Sequence, residues 1–119
     1  MALAVTSSIS LSGLIGNLIE VEVDISDGLP SYILLGLPDA ALSESRDRVR
    51  AALVNSGETW PNKKVTVSLS PAWLPKSGSA FDLPIAITIL MAQGRIPKDE
   101  PESAIYLGEL SLDGQVREV

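Results

Sequence analysis

Ile19-Glu20-Val21-Glu22-Val23-Asp24-Ile25-Ser26 decides the fold of this chain. Apolar and polar residues alternate along all of it, the period of a strand with one face in a core and the other in water. On a helix the same residues would scatter around the circumference. The acids Glu20, Glu22 and Asp24 then lie in a row on a solvated face. A row of carboxylates is not the cage of oxygens that holds a divalent cation.

The reading extends outward from that strand. Upstream, Val5, Ser7, Ile9 and Leu11 share one period-2 face and predict a first strand. Downstream, Asp27-Gly28-Leu29-Pro30 is a turn signal, and the wholly apolar Tyr32 to Leu35 suits a central strand buried on both faces. Gly36-Leu37-Pro38-Asp39 leads into a helix, with Asp39 as its N-cap and Gly57 as its C′ glycine. Leu42, Val49, Ala52 and Leu53 form its apolar stripe. Trp60 to Lys63 is a loop, and Lys64 to Leu69 alternates again, with Val65, Val67 and Leu69 on one face.

The stretch 70–79 holds two prolines and a glycine and reads as a long loop, a place where function often resides. Asp82 is placed to cap a second helix, with Pro84 tolerated in its first turn. Ile85 to Ala92 is apolar almost all round, Thr88 excepted, so this helix belongs between layers. Ala104 to Leu107 predicts a further strand, and Leu110 and Leu112 another, closed by Asp113-Gly114. The order is β-β-β-α-β-α-β-β. Three strands before the first helix indicate an α+β two-layer sandwich with a mixed sheet, not a doubly wound nucleotide fold.

Composition narrows the function. The chain has 119 residues, enough for one domain, and 45% are hydrophobic against 20% charged, which excludes disorder as its main state. It lacks an apolar run long enough to span a membrane, and Met1 to Ser12 lacks the basic start and apolar core of a secretory signal. Cysteine is absent, so disulfides are impossible and a cytoplasmic location is expected. Histidine is absent too, which removes the usual zinc sites and the Ser-His-Asp and Cys-His triads. The net charge is −6. Residues 1–38 carry four acids and no base, residues 39–76 six bases and four acids, and residues 77–119 seven acids and three bases. Phosphate affinity comes mainly from Lys and Arg, so this acidic chain is a poor free-standing nucleic-acid binder, and the middle third is the only candidate for a local basic patch.

No G-x-x-x-x-G-K-[ST] occurs to cradle phosphates, and no G-x-G-x-x-G for a dinucleotide. Gly108 to Val119 reads as a strand-turn-strand unit that stops without a polar tail, as at a cut through a longer chain.

Four stretches then occur in a telling order: Asp27-Gly28-Leu29-Pro30; Gly36-Leu37-Pro38-Asp39 with Glu44-Ser45-Arg46-Asp47-Arg48-Val49-Arg50-Ala51-Ala52; Leu74-Pro75-Lys76 with Asp82-Leu83-Pro84-Ile85-Ala86; and Gly108-Glu109-Leu110. Together they resemble the N-terminal domain of the ComM/YifB family of Mg-chelatase-like AAA+ ATPases. The resemblance covers nearly the whole chain. It implies a ribosomal S5 domain 2-like fold similar to the proteolytic domain of Lon, with residues 1–119 as one Lon-like domain and an ATPase domain after Val119. It also implies a hexamer, ATP and Mg bound by the full-length protein, and DNA work, namely helicase-driven branch migration in recombination or natural transformation.

The likeness to Lon can be followed to individual positions. Lon-type domains carry a nucleophilic Ser shortly after Pro-Lys-x-Gly, here Pro75-Lys76-Ser77-Gly78. Two residues beyond that Gly stands Ala80, which has no nucleophilic oxygen, and Ser79 is one residue early. The family's Lys base falls after this chain. A Ser-Lys dyad needs both groups within hydrogen-bond reach, so no catalytic residue and no metal ligand is expected here. The candidate phosphate or subunit contacts are Arg46, Arg48, Arg50, Lys63, Lys64 and Lys76, with Trp73 able to stack on a base. Arg46 and Arg50 share a helix face, while Arg48 points elsewhere. Trp60 is expected to pack on its own domain, and Gly36 and Gly108 to serve strand ends or close backbone approach.

The expected role is a non-catalytic accessory domain of a hexameric AAA+ DNA motor, serving ring assembly or DNA guidance. Its partners would be other copies of itself and DNA, and not a membrane. The alternatives are a protein-docking module and a residual Lon-type peptidase using Ser77 or Ser79.

Overall fold

A computed structural model describes residues 2–12, 15–36, 39–70, 81–96 and 105–117. The elements are β1 (Ala2–Ser12), β2 (Ile15–Ser26), β3 (Ser31–Leu35), α1 (Asp39–Asn55), β4 (Lys64–Ser70), α2 (Asp82–Ala92), β5 (Glu109–Leu110) and β6 (Val116–Arg117). The fold is α+β, and its main sheet is mixed, in the order β1-β2-β4-β3. β1 and β2 are antiparallel, as are β2 and β4, whereas β3 runs parallel to β4.

The deciding stretch behaves as its alternation requires. Ile19, Val21, Val23 and Ile25 are buried, while Glu20, Glu22 and Asp24 lie on the opposite face. β4 matches it: Val21 pairs with Leu69, Val23 with Val67 and Ile25 with Val65, all six of them buried. Both helices cover this inner face. α2 lies against β1 and β2, with α1 beside it toward β3. Ile85, Ile89 and Met91 of α2 and Val49, Ala52 and Leu53 of α1 complete the core.

One strand settles a face that the sequence leaves open, and another departs from expectation. β1 turns Ala4, Thr6 and Ser8 inward and leaves Val5 46% exposed, so its apolar face looks outward. The cause is its neighbour: α2 packs closely on β1 through Thr88, whose hydroxyl donates to the Pro84 carbonyl at 2.5 Å and accepts from Thr6 at 2.7 Å. Small inward residues allow that approach. β3 is an edge strand, not a central one, with Ile33 and Leu35 40% and 52% exposed and Leu34 buried. A short apolar run reports burial without saying on which sides, and here β4 and β2 occupy the middle of the sheet.

The helix ends divide as well. Gly57, at φ +85°, closes α1 with a Schellman pair. The Glu58 N–H donates to the Leu53 carbonyl at 2.9 Å and the Gly57 N–H to Val54 at 3.1 Å. Asp82 does not cap α2. It is the first helical residue, Phe81 holds the cap position, and no side chain satisfies that end. The predicted strand at 104–107 is absent from 105–107, where the Tyr106 N–H donates to the Ser7 carbonyl of β1 at 2.9 Å. β5 and β6 form the expected strand-turn-strand unit, pairing Leu110 with Val116.

Candidate functional site

α1 carries three arginines at 46, 48 and 50, and helical geometry sends them to different places. Residues four apart share a face, while a residue two away lies on the far side. Arg46 and Arg50 accordingly line one groove, and Arg48 turns toward α2.

Arg48 makes a two-pronged pair with Asp82. Its Nε donates to Asp82 Oδ2 at 2.6 Å and its Nη2 to Oδ1 at 3.1 Å. Asp82 is 1% exposed and also accepts the Leu110 N–H at 3.3 Å, while Arg48 reaches Glu44 at 3.5 Å. Burial pushes the Asp82 carboxyl above the usual carboxylate range, against the pull of Arg48 and the Leu110 N–H. Arg48 is held still more firmly charged by its bonds to Asp82. The pair therefore joins α1, the start of α2 and β5, which makes its role internal.

The groove occupies about 410 Å³ between the start of β3, the loop after α1 and the Arg46/Arg50 face of α1. Tyr32 and Trp60 form its aromatic wall, with ring centroids 5.7 Å apart and planes tilted by 36°. Burial pushes the Tyr32 phenol well above its ordinary range, so it stays protonated, and its hydroxyl lacks a hydrogen-bond partner among the described residues. Ser45, buried just before Arg46 on α1 and close enough to act on the Tyr32 phenol, likewise has a hydroxyl without a hydrogen-bond partner among the described residues. Arg46 pairs with Asp47, its sequence neighbour, at 3.3 Å, and Arg50 makes no ion pair among the described residues. The groove thus offers one free and one loosely engaged guanidinium beside an aromatic wall. That set recognises carboxylates and phosphates.

The remaining candidates are dispersed. Lys63 pairs with Asp27 at 3.4 Å, both exposed. Lys64 is exposed at the start of β4, on the outward side of the sheet. Lys76, Trp73, Ser77, Ser79 and Ala80 lie outside the described residues. Sequence reasoning missed Tyr32 as a groove residue because an apolar run gives no sign of facing solvent. It missed Asp82 as an ion-pair partner because an Asp before an apolar helix is equally suited to capping. Among the described residues no cluster of acids is arranged to hold a metal ion, and no helix is long and apolar enough to cross a membrane.

Residues 21–119 match the family described as subunit ChlI of Mg-chelatase. The chain belongs to the ChlI family. Over its full length it is 53% identical to an uncharacterized protein of Mycobacterium tuberculosis, covering 24% of that protein. It is 43% identical to the uncharacterized protein YifB of Escherichia coli, covering 24%, and 43% identical to the competence protein ComM of Haemophilus influenzae, covering 23%. This ChlI-type chain thus spans about a quarter of the length of the curated relatives it matches.

Proposed function

We propose that this ChlI-type chain is a non-catalytic accessory domain of a larger ATP-driven DNA motor of the hexameric AAA+ type, with an S5 domain 2-like, Lon-like sandwich. Its work is to join neighbouring subunits and to guide DNA, while ATP and Mg are bound elsewhere in the complete protein. The cation placement on α1 carries the reading. Arg48 is consumed inside the domain, while Arg46 and Arg50 are presented side by side in an open groove. Similarity along the whole of this chain, covering 23% of a relative named for competence, supports the connection to DNA.

The test uses the complete protein. ATP-driven migration of a branched DNA junction is expected to fall at least tenfold when residues 1–119 are deleted, and to be impaired by R46A/R50A while basal ATP hydrolysis persists. A complete protein that neither moves junctions nor hydrolyses ATP faster with DNA would overturn the reading.

A further inference from the structure

Two surfaces of this domain carry opposite charge: the acidic one makes no ion pair among the described residues, and in the basic one Arg46 pairs only with its neighbour Asp47 while Arg50 makes no ion pair among the described residues. One is the outward face of β2, where Glu20, Glu22 and Asp24 stand in line. None of the three makes an ion pair among the described residues, and Asp24 Oδ1 is buried without a hydrogen-bond partner. The other is the groove with Arg46 and Arg50. The surfaces lie on opposite layers: the acids alternate with the buried side of β2, whereas the groove lies on the helix side, beside α1. One copy cannot bring its own acids to its own groove.

We infer that the acidic face of β2 docks into the Arg46/Arg50 groove of a second copy of this chain, joining neighbours head to tail. The inference rests on the subunit-contact part of the reading above and assigns its two surfaces.

The spacings agree. Residues i and i+2 of a strand stand about 6.5–7 Å apart along one face, and residues i and i+4 of a helix about 5–6 Å apart. Two guanidiniums therefore meet two successive carboxylates. The apolar surroundings agree as well. Leu3 pairs in register with Asp24 and Val5 with Glu22, and both apolar side chains are about half exposed. Trp60 lines the groove, and the almost fully exposed Leu29 directly precedes its lining residue Pro30 in the chain. Each surface is thus a charged centre next to apolar area, as a protein contact requires. Since the two patches differ, the contact is heterologous, and repetition closes a ring or extends a filament.

The experiment reverses the charges in the complete protein. E20R/E22R and R46E/R50E are each expected to lose assembly mass in analytical ultracentrifugation, since each variant then opposes like charges. Mixed in equal amounts they should recover it, because each variant's face matches the other's groove. Retention of full mass by either variant, or failure of the mixture to recover, overturns the inference. Should a charge variant fail to fold, E22C and R50C copies of the complete protein replace it, with any cysteine outside the cysteine-free residues 1–119 first changed to serine. A bismaleimide should link the two copies in the mixture and neither alone, and absence of that link is equally decisive. Loss of DNA-stimulated ATP hydrolysis in R46E/R50E at unchanged mass would give the groove to nucleic acid instead. Mass loss and recovery in a protein that proves indifferent to DNA would support the contact while overturning the motor reading.

Discussion

Arg48 and Asp82 stand 34 residues apart in sequence and face each other across the two helices with two hydrogen bonds, at 2.6 and 3.1 Å. The carboxylate is buried, the guanidinium about one-quarter exposed, and the Leu110 N–H adds a third bond from β5. Burying a carboxylate is costly, and the geometry here offsets that cost only while both partners are present.

Arg48→Ala should therefore destabilise the chain by about 3–5 kcal/mol, the range for stripping the partner from a buried charge. Arg48→Met with Asp82→Leu should cost much less. The loss in Arg48→Ala should also shrink as pH falls. Burial already raises the Asp82 carboxyl above its unfolded value, and without Arg48 it rises further. A group whose folded value is raised favours the fold when protonated, so the penalty is present at neutral pH and is relieved as pH drops below the raised value. Urea unfolding at neutral and mildly acidic pH measures this. A penalty that grows on acidification would contradict it.

The Thr6–Thr88 bond is the second buried polar link, between β1 and α2. Thr88→Val should cost about 1–3 kcal/mol, because the Thr6 hydroxyl is left buried without its acceptor. Thr6→Val should cost less, since Thr88 keeps the Pro84 carbonyl as its acceptor. A double-mutant cycle on thermal unfolding should show coupling between the sites. Strict additivity would sever the link.

Gly36 ends β3 at φ +102°, where a Cβ would collide with the Leu69 carbonyl oxygen. Gly36→Ala should cost about 1–3 kcal/mol, from a left-handed backbone and that clash together. The denaturant midpoint should fall and its slope should stay constant. A stabilised variant would refute the close approach.

Lys63 and Asp27 provide the contrast. Both are exposed, so Lys63→Ala should change stability by about 0.5 kcal/mol or less, with little response to salt. A loss comparable to that of Arg48→Ala would show that exposure misjudges this pair.

Legibility in the sequence followed how local the signal was. β2 and β4 were readable because strict alternation has one structural solution, and the C-terminus of α1 because Gly57 suits a left-handed C′ position. The separation of Arg46 and Arg50 from Arg48 was readable from helical period alone. Strand β1 is readable as a strand although its alternation does not say which face is buried, and β3 reads as a central strand when it lies at the edge. Which face of β1 is buried depends on the hydroxyl pairing with α2, which no window on β1 contains.

By itself, the sequence determined the elements from β1 to α2 and their order, the opposite sides of α1 to which its arginines project, and the acidic row on β2. These follow from side-chain period and backbone preference within a few residues. The tertiary structure decided the rest. It placed β3 at the edge, took Asp82 from a cap to an ion pair, and set the Tyr32–Trp60 wall beside Arg46 and Arg50. Each of these depends on contacts between residues distant in the chain. There the balance between burying a group and pairing it is settled by neighbours that local sequence does not name.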